Sequence, residues 1–326
     1  MAGATGRYTQ YSAKFWYSDS DPGDVINLQQ LRQTSLRQNA TIAERQLQGV
    51  VDVSQRTLVS AEPMQQFVTD DLTNVFQNIP IGGIKIEDKA SFWTIERDEA
   101  GTFRTTGQQY DSPYGGFLYM DSLRASQDDQ GGATATLNYY ALSDDGLNIP
   151  LVMYGASHTG APVPAMNSWY FLGPVYWGQD SADDTENVLL DGLTSWAYES
   201  GVQYSARPFQ GHLFGVKGSV TRRRQRIVLT TTDEGALYDQ LANLFLTSVV
   251  PPTEVGDMAI RCYLRRAVAC GTRIADGTGS HLMLRAQLAC ANVDELQWSE
   301  NEDGTHSVNI LLAGNPTIHQ SQTIAL

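Results

Sequence analysis

The sequence predicts a mainly β protein, with β-sandwich or barrel domains that each carry a short flanking helix, arranged as a tandem duplication. Three observations predict it. Strand-like runs bounded by Gly, Pro and Asp recur along the chain. The uncharged residues are rich in Gln, Thr, Ser, Asn and Gly, with frequent Tyr and Trp, which suits twisted strands with polar faces and many turns. A strand, an acidic helix cap, a short helix, several strands and an Asp-Gly turn follow one another in the same order twice.

The first set begins at Arg56 to Val59, which is strand-like. Thr69-Asp70-Asp71 offers a helix cap, and Leu72, Val75, Phe76 and Ile79 then make one apolar face at i, i+3, i+4, i+7. Pro80 and Gly82-Gly83 stop that helix. Strand-like runs follow at 84–86, 92–96, 117–123 and 133–142. Asp144-Asp145-Gly146 reads as a hairpin turn, with 148–154 as the return strand and Pro150 marking an edge or bulge.

The second set begins at Arg226 to Thr231. Thr232-Asp233-Glu234 is its cap, and Leu237, Leu241, Leu244 and Phe245 are its helical face, ended by Pro251-Pro252. Strands are expected at 258–268, 281–288, near 295–299 and at 307–312, with Asp303-Gly304 as the turn. The caps Thr69 and Thr232 lie roughly 163 residues apart, and the turns at Asp145 and Asp303 roughly 158. Leu118 to Ala125 beside Leu282 to Ala286, and Ile149 to Val152 beside Val308 to Leu311, are the local matches. A duplicated domain of this kind mimics two subunits of a ring.

The expected organisation has four parts. Residues 1–55 form an extended N-terminal arm, with Tyr8, Tyr11, Phe15, Trp16 and Tyr17 in a polar setting ahead of a Gln-rich stretch. The arm packs on a neighbouring subunit or is a loop tethered to its own chain, and those five aromatics are its interface candidates. Residues 56–155 form β-rich domain 1, 156–215 an aromatic and Gly-rich connecting segment, and 216–326 β-rich domain 2. At 326 residues the chain exceeds the size at which one core stops growing, so two cores are expected.

Net charge is −14 and the one dense basic run is Arg222-Arg223-Arg224-Gln225-Arg226, which reads as the solvated entry to a strand. Tight nucleic-acid binding needs clustered cations. An acidic surface fits either plain solubility or a channel that DNA passes without sticking. Residues 1–20 have no apolar signal region, no stretch reaches the roughly 20 apolar residues a bilayer span needs, and no membrane role is expected. Cys262, Cys270 and Cys290 fit no disulfide framework or zinc spacing, and the five histidines are scattered, so no metal or other cofactor is expected.

No nucleophile elbow, zinc-protease motif or phosphate-binding loop occurs; Gly277 to His281 reads as a turn between strands. The chain is therefore expected not to be an enzyme. The acidic pairs Asp128-Asp129, Asp144-Asp145, Asp183-Asp184 and Glu302-Asp303 lack the alternation of calcium loops and read as solvated turns.

The order of elements resembles the tail tube and related virion proteins of tailed bacteriophages. The two capped helices and the two Asp-Gly turns carry the resemblance over about residues 56–320. It implies a non-enzymatic structural subunit of a phage particle, forming stacked homo-oligomeric rings around an acidic DNA channel. Its partners would be copies of itself and other virion proteins, with DNA passing unbound. Its location would be the virion, assembled in the host cytoplasm. Asp128, Asp129, Asp144, Asp145, Glu302 and Asp303 are then the lumen candidates. The long arm and large central segment depart from the pattern and leave open a capsid decoration or neck component. A carbohydrate-binding β-sandwich, using Trp and Tyr of 155–215 such as Trp177, is the alternative from another class.

Overall fold

In a computed structural model, the residues described are 9–18, 24–45, 55–97, 103–127, 132–159, 169–179, 188–190, 192–206, 208, 211–232, 235, 258–268, 272–287, 297–300 and 304–324. The architecture is mainly β with several sheets, as expected: among the described residues 65% are strand and 4% helix. The chain divides into two compact units. Unit 1 is Met1–Tyr119, Thr136–Ala165 and Gln203–Thr221; unit 2 is Met120–Ala135, Met166–Val202 and Arg222–Leu326. The boundaries differ from the expected ones because each unit draws on three separate stretches of chain.

The first strands are β1 (Thr9–Trp16), β2 (Val25–Arg37), β3 (Ala40–Arg45), β4 (Gln55–Ala61) and β5 (Met64–Thr69), followed by helix α1 (Leu72–Asn78). Next come β6 (Ile84–Ile86), β7 (Lys89–Arg97), β8 (Phe103–Ser112), β9 (Gly116–Ser126), β10 (Thr134–Ala141) and β11 (Val152–Thr159). In unit 1 the strand order is β11-β8-β7-β1-β2-β5-β10-β9, with β6 also on β9, and β3 pairs β4 apart from it. β9 is shared: its residues up to Tyr119 belong to unit 1 and those from Met120 to unit 2.

The remaining strands are β12 (Trp169–Gln179), β13 (Val188–Leu189), β14 (Leu193–Glu199), then β15 (Gln203–Ser205) and β16 (Ser219–Arg222), which pair with each other. They are followed by β17 (Arg226–Thr231), β18 (Met258–Val268), β19 (Thr272–Arg273), β20 (His281–Gln287), β21 (Gln297–Glu300), β22 (His306–Leu311) and β23 (Thr317–Gln322). In unit 2 one order is β9-β14-β17-β22-β21; the other is β13-β12-β18-β20-β23, with β19 on β18.

The stretch expected as an arm is instead part of the sheet. β1 lies between β7 and β2, and Ala13, Phe15, Ile26 and Leu28 are fully buried. Phe15 meets Phe67, Phe92 and Tyr139 with ring centroids 5.4–6.1 Å apart, mostly edge-on or tilted, the geometry ring quadrupoles favour. Burying one such side chain is worth roughly 1.5–3 kcal/mol, so this cluster anchors unit 1. In unit 2, Trp177, Trp196, Tyr198, Ile227, Leu229, Val308 and Ile310 fill the interior. Alternation drives both sheets: β17 and β22 bury every second residue.

Helix α1 forms where the cap predicted it. Asp71 is the N-cap: its Oδ1 accepts from Asn74 N–H at 3.4 Å, and its own N–H donates to Thr69 Oγ1 at 3.1 Å. Leu72, Val75 and Ile79 are buried. Of the second expected helix, only Gly235 is described, and it is helical; Leu237, Leu241, Leu244 and Phe245 lie outside the described residues.

The Asp144-Asp145-Gly146 turn is not a hairpin turn. β10 ends at Ala141, residues 144–148 are bends, and β11 pairs with β8 rather than β10. The turn at Gly304 does join paired strands, β21 and β22.

Candidate functional site

The described surface of unit 1 has an exposed ribbon and an open strand edge, and both grow from the same two strands. β2 pairs β5 over Leu31–Arg37, and β3 pairs β4 on the same ladder beyond it. Asn39 takes φ 42° at the break. Every residue of β3 is exposed, and Ile42 (54%), Val59 (48%) and Leu58 (38%) are exposed apolar side chains on the ribbon. A two-stranded ribbon has marginal stability alone, and exposed β-branched residues on it are costly in water. Its described ion pair, Arg56 to Glu44 at 3.0 Å, is solvent-exposed and contributes little.

The edge belongs to β2. On one side β5 pairs it through Gln33–Arg37; on the other, β1 reaches only from Val25 to Leu31. Among the described residues no strand covers that outer side of Gln33–Arg37, and an edge of that kind is a template for pairing. The equivalent-looking strand in unit 2, β14, is treated differently. β17 pairs it on one side and the end of β9, Ser122–Ser126, on the other.

Unit 1 also contains the β15–β16 ribbon, and there it is well packed. Tyr204 stacks on Phe117 at 4.8 Å and 4°, and meets Tyr140 at 4.9 Å. Burial pushes the Tyr204 hydroxyl up to about 12. Phe214 bridges to Ala61, and Ser143 N–H donates to the Gly215 carbonyl at 2.9 Å. Beside this ribbon is an open groove of about 780 Å³ lined by Lys85, Asp88, Tyr114, Tyr204 and Lys217 among others. Two of its aromatic rings, Phe117 and Tyr204, stack on each other.

The expected site residues scatter. Asp128, Asp129, Glu302 and Asp303 lie outside the described residues, as does Tyr8. Asp144 and Asp145 are exposed in one turn of unit 1. Asp145 Oδ1 accepts from the backbone N–H groups of Leu147 and Asn148 at 2.8 and 2.7 Å, which holds its carboxyl below the ordinary carboxylate range. Its charge is thus tied to the shape of the turn.

Phe15 is fully buried in its own unit and is not free for an interface, because alternation along β1 points it inward. Trp16 is half-buried against Trp93 and Ile95, with Lys14 and Lys89 at 4.7 and 4.8 Å from its ring. Tyr11 is half-buried opposite Leu31, and the Tyr17 hydroxyl donates to Asp24 at 3.3 Å. Trp177 and Trp196 are fully buried, so these two rings of the central segment cannot stack on a sugar.

Cys262 is buried, and burial pushes its thiol up. Cys270 and Cys290 lie outside the described residues. Among the described residues no three of His, Cys, Asp and Glu converge to hold a metal ion, and no helix is long and apolar enough to cross a membrane. The basic run is exposed at Arg222–Arg224, with Gln225 buried and Arg226 paired to Glu199 at 2.5 Å.

The ribbon and edge residues were not singled out by sequence. The signal for them was the pair of β-branched runs around Ile42 and Leu58, which read as part of the Gln-rich arm and as a lone strand. No protein-family model and no curated protein sequence matches the chain.

Proposed function

We propose that the chain is a non-enzymatic structural subunit built from two copies of one β domain, which assembles with copies of itself into rings. The observation that carries this is a correspondence of strand orders in which two strands, β13 and β14, together stand for β2. Reading β12 for β1, β13 with β14 for β2, β17 for β5, β18 for β7, β20 for β8, β21 for β9, β22 for β10 and β23 for β11 turns the first order into the second. The chain order of the strands is kept.

The register agrees in detail. β2 pairs β5 with a bulge between Leu31 and Gln33, and β14 pairs β17 with a bulge between Leu193 and Ser195. Leu31 and Leu193 differ by 162, as do their partners Thr69 and Thr231. The Ala141 N–H donates to the Pro63 carbonyl at 3.1 Å, and the Leu312 N–H to Gln225 at 3.0 Å; Pro63 and Gln225 are also 162 apart. Bulges are positional features rather than accidents, so a shared bulge at a shared step favours duplication over two unrelated β domains.

On this reading the repeats align at their caps, close to the expected step, but not at the expected turns. Gly146 follows β10, whereas Gly304 precedes β22 and so matches Gly132, before β10. The β9 and β20 match, and the β11 and β22 match, likewise join strands with different neighbours.

A repeat protein with a net charge of −14 and an exposed apolar ribbon fits an assembling subunit that must not hold DNA. With the resemblance described above, a virion role of the tail-tube kind follows, with Asp144 and Asp145 on the acidic surface. The test is light scattering with negative-stain electron microscopy of the purified protein. Rings or tubes with a central hole support the reading. A monomer at every concentration overturns it.

A further inference from the structure

We infer that the β2 edge and the β3–β4 ribbon of one copy are completed by a second copy of this chain, whose β21 adds to β2 at Gln33–Arg37. The inference rests on the duplicated-domain reading and names the surfaces through which that subunit joins itself.

The argument is that the chain already displays this joint once. β14 corresponds to the bulged half of β2, residue for residue: Ser195 to Gln33, Trp196 to Thr34, Ala197 to Ser35, Tyr198 to Leu36 and Glu199 to Arg37. On the side away from β17, β14 accepts Ser122–Ser126 of β9. On the side away from β5, β2 accepts nothing among the described residues over the same five positions. The strand that corresponds to β9 is β21. It pairs β22 on one side and ends the unit 2 order on the other. One open edge and the strand that fits it therefore lie on the same chain, as unmatched halves of a joint whose matched form is β9 with β14.

The ribbons repeat the pattern. Counting 162 from β3–β4 lands on β15–β16: Ile42 corresponds to Tyr204, and Thr57–Ser60 to Ser219–Arg222. The β15–β16 ribbon is packed, with Tyr204 stacked on Phe117 and against Tyr140. The β3–β4 ribbon has Ile42, Leu58 and Val59 in solvent. Ile42 of one copy would take, against β21 and β22 of the next, the place Tyr204 takes against β9 and β10.

The surfaces used on the two partners differ, so the contact is head-to-tail. Such a contact closes into a ring or runs on as a filament, and in a closed ring neither half of this joint is left unmatched. Two-fold dimers made by β2 against β2 are the arrangement this excludes.

The test mixes two singly substituted proteins in a background with Cys270 and Cys290 replaced by Ser. One carries Ser35→Cys. The other carries Cys in turn at Gln297, Trp298, Ser299 and Glu300. A disulfide between them can form only between copies. The expected result is a cross-linked dimer for at least one of the four mixtures and none for Ser35→Cys alone.

A second variant, Ile42→Asp with Leu58→Asp, changes only exposed ribbon positions. It is expected to keep the wild-type circular dichroism spectrum and to fall from the assembled mass to 35.8 kDa. Assembly that persists in this variant, with no cross-link in any mixture, overturns the proposed joint while leaving the assembling subunit intact. Wild-type protein that never exceeds 35.8 kDa overturns both.

Discussion

Phe15 and Trp177 each lie on a strand flanked by two paired strands, in two different sheets. Phe15 sits opposite Ile26 on one neighbour strand and Ala90 on the other; Trp177 sits opposite Val188 and Ile260. Both are fully buried. The larger ring does not face the smaller neighbour: Ile260 lies opposite Trp177, whereas Ala90 lies opposite Phe15.

Truncating either residue should therefore have the same consequence. Phe15→Ala and Trp177→Ala are each expected to destabilise the protein by about 3–5 kcal/mol, the usual range for removing a buried ring. Urea unfolding monitored by tryptophan fluorescence checks both, with Trp177→Ala also losing signal from a buried ring. A loss under 1 kcal/mol at either position would remove it from the core.

Much of this was legible in the sequence, and the failures have physical causes. The Thr69–Asp71 cap and the apolar run from Met258 to Val268 announced their elements because cap chemistry and strand patterning are local. β2 was misread because its phase changes at the bulge. Ile26 and Leu28 alternate inward, then the register shifts between Leu31 and Gln33, and the remaining residues look patternless. β1 was misread as an arm because Thr9, Gln10 and the buried Ser12 make a sheet strand appear polar. The open edge of β2 was invisible because an edge is defined by which distant strand is missing, and no local pattern encodes that.

A second prediction concerns pH. Arg265 donates to both oxygens of Asp276, at 2.9 and 2.8 Å, and this hydrogen bonding holds the Asp276 carboxyl below its ordinary value of 3.8. A carboxyl depressed on folding stabilises the fold at pH above the unfolded value, and that stabilisation is lost as pH falls through the lowered value. Asp276→Asn should cost about 1 kcal/mol at pH 7, since the pair is partly exposed. The gap from wild type should close toward pH 2. Chemical denaturation at pH 7 and at pH 2.5 measures it.

The Tyr139 hydroxyl donates to Ser112 Oγ at 2.9 Å inside unit 1, and burial raises its pKa. Ser112 in turn donates to the Gly115 carbonyl at 3.1 Å. Tyr139→Phe keeps the ring and removes the bond, so a loss of about 1 kcal/mol is expected. Thermal unfolding is the measurement.

Gly115 has φ +74°, and a Cβ there would lie 2.2 Å from the Ile86 carbonyl oxygen. Because the obstacle is backbone, it cannot rotate away. Gly115→Ala is expected to cost more than about 1 kcal/mol, beyond the ordinary penalty for a left-handed alanine. The same substitution at Gly211, φ +83° with open space around it, should cost less. The comparison of the two midpoints in urea separates contact from conformation.

Charge on the acidic surface should affect DNA and not assembly. Replacing Asp144 and Asp145 with Asn, together with Asp128, Asp129, Glu302 and Asp303 in the same way or with Gln, removes six negative charges. The assembled mass should be unchanged and retention of duplex DNA at low salt should rise. Loss of assembly in this variant would mean that these residues hold subunits together.

The most direct test of the account counts lobes against chains. If each chain carries two copies of one domain in a closed ring, class averages of single rings should display twice as many lobes as the number of 35.8 kDa chains that light scattering assigns to the ring. Equal numbers of lobes and chains, or particles with no ring symmetry, would contradict the duplicated, ring-forming subunit proposed above.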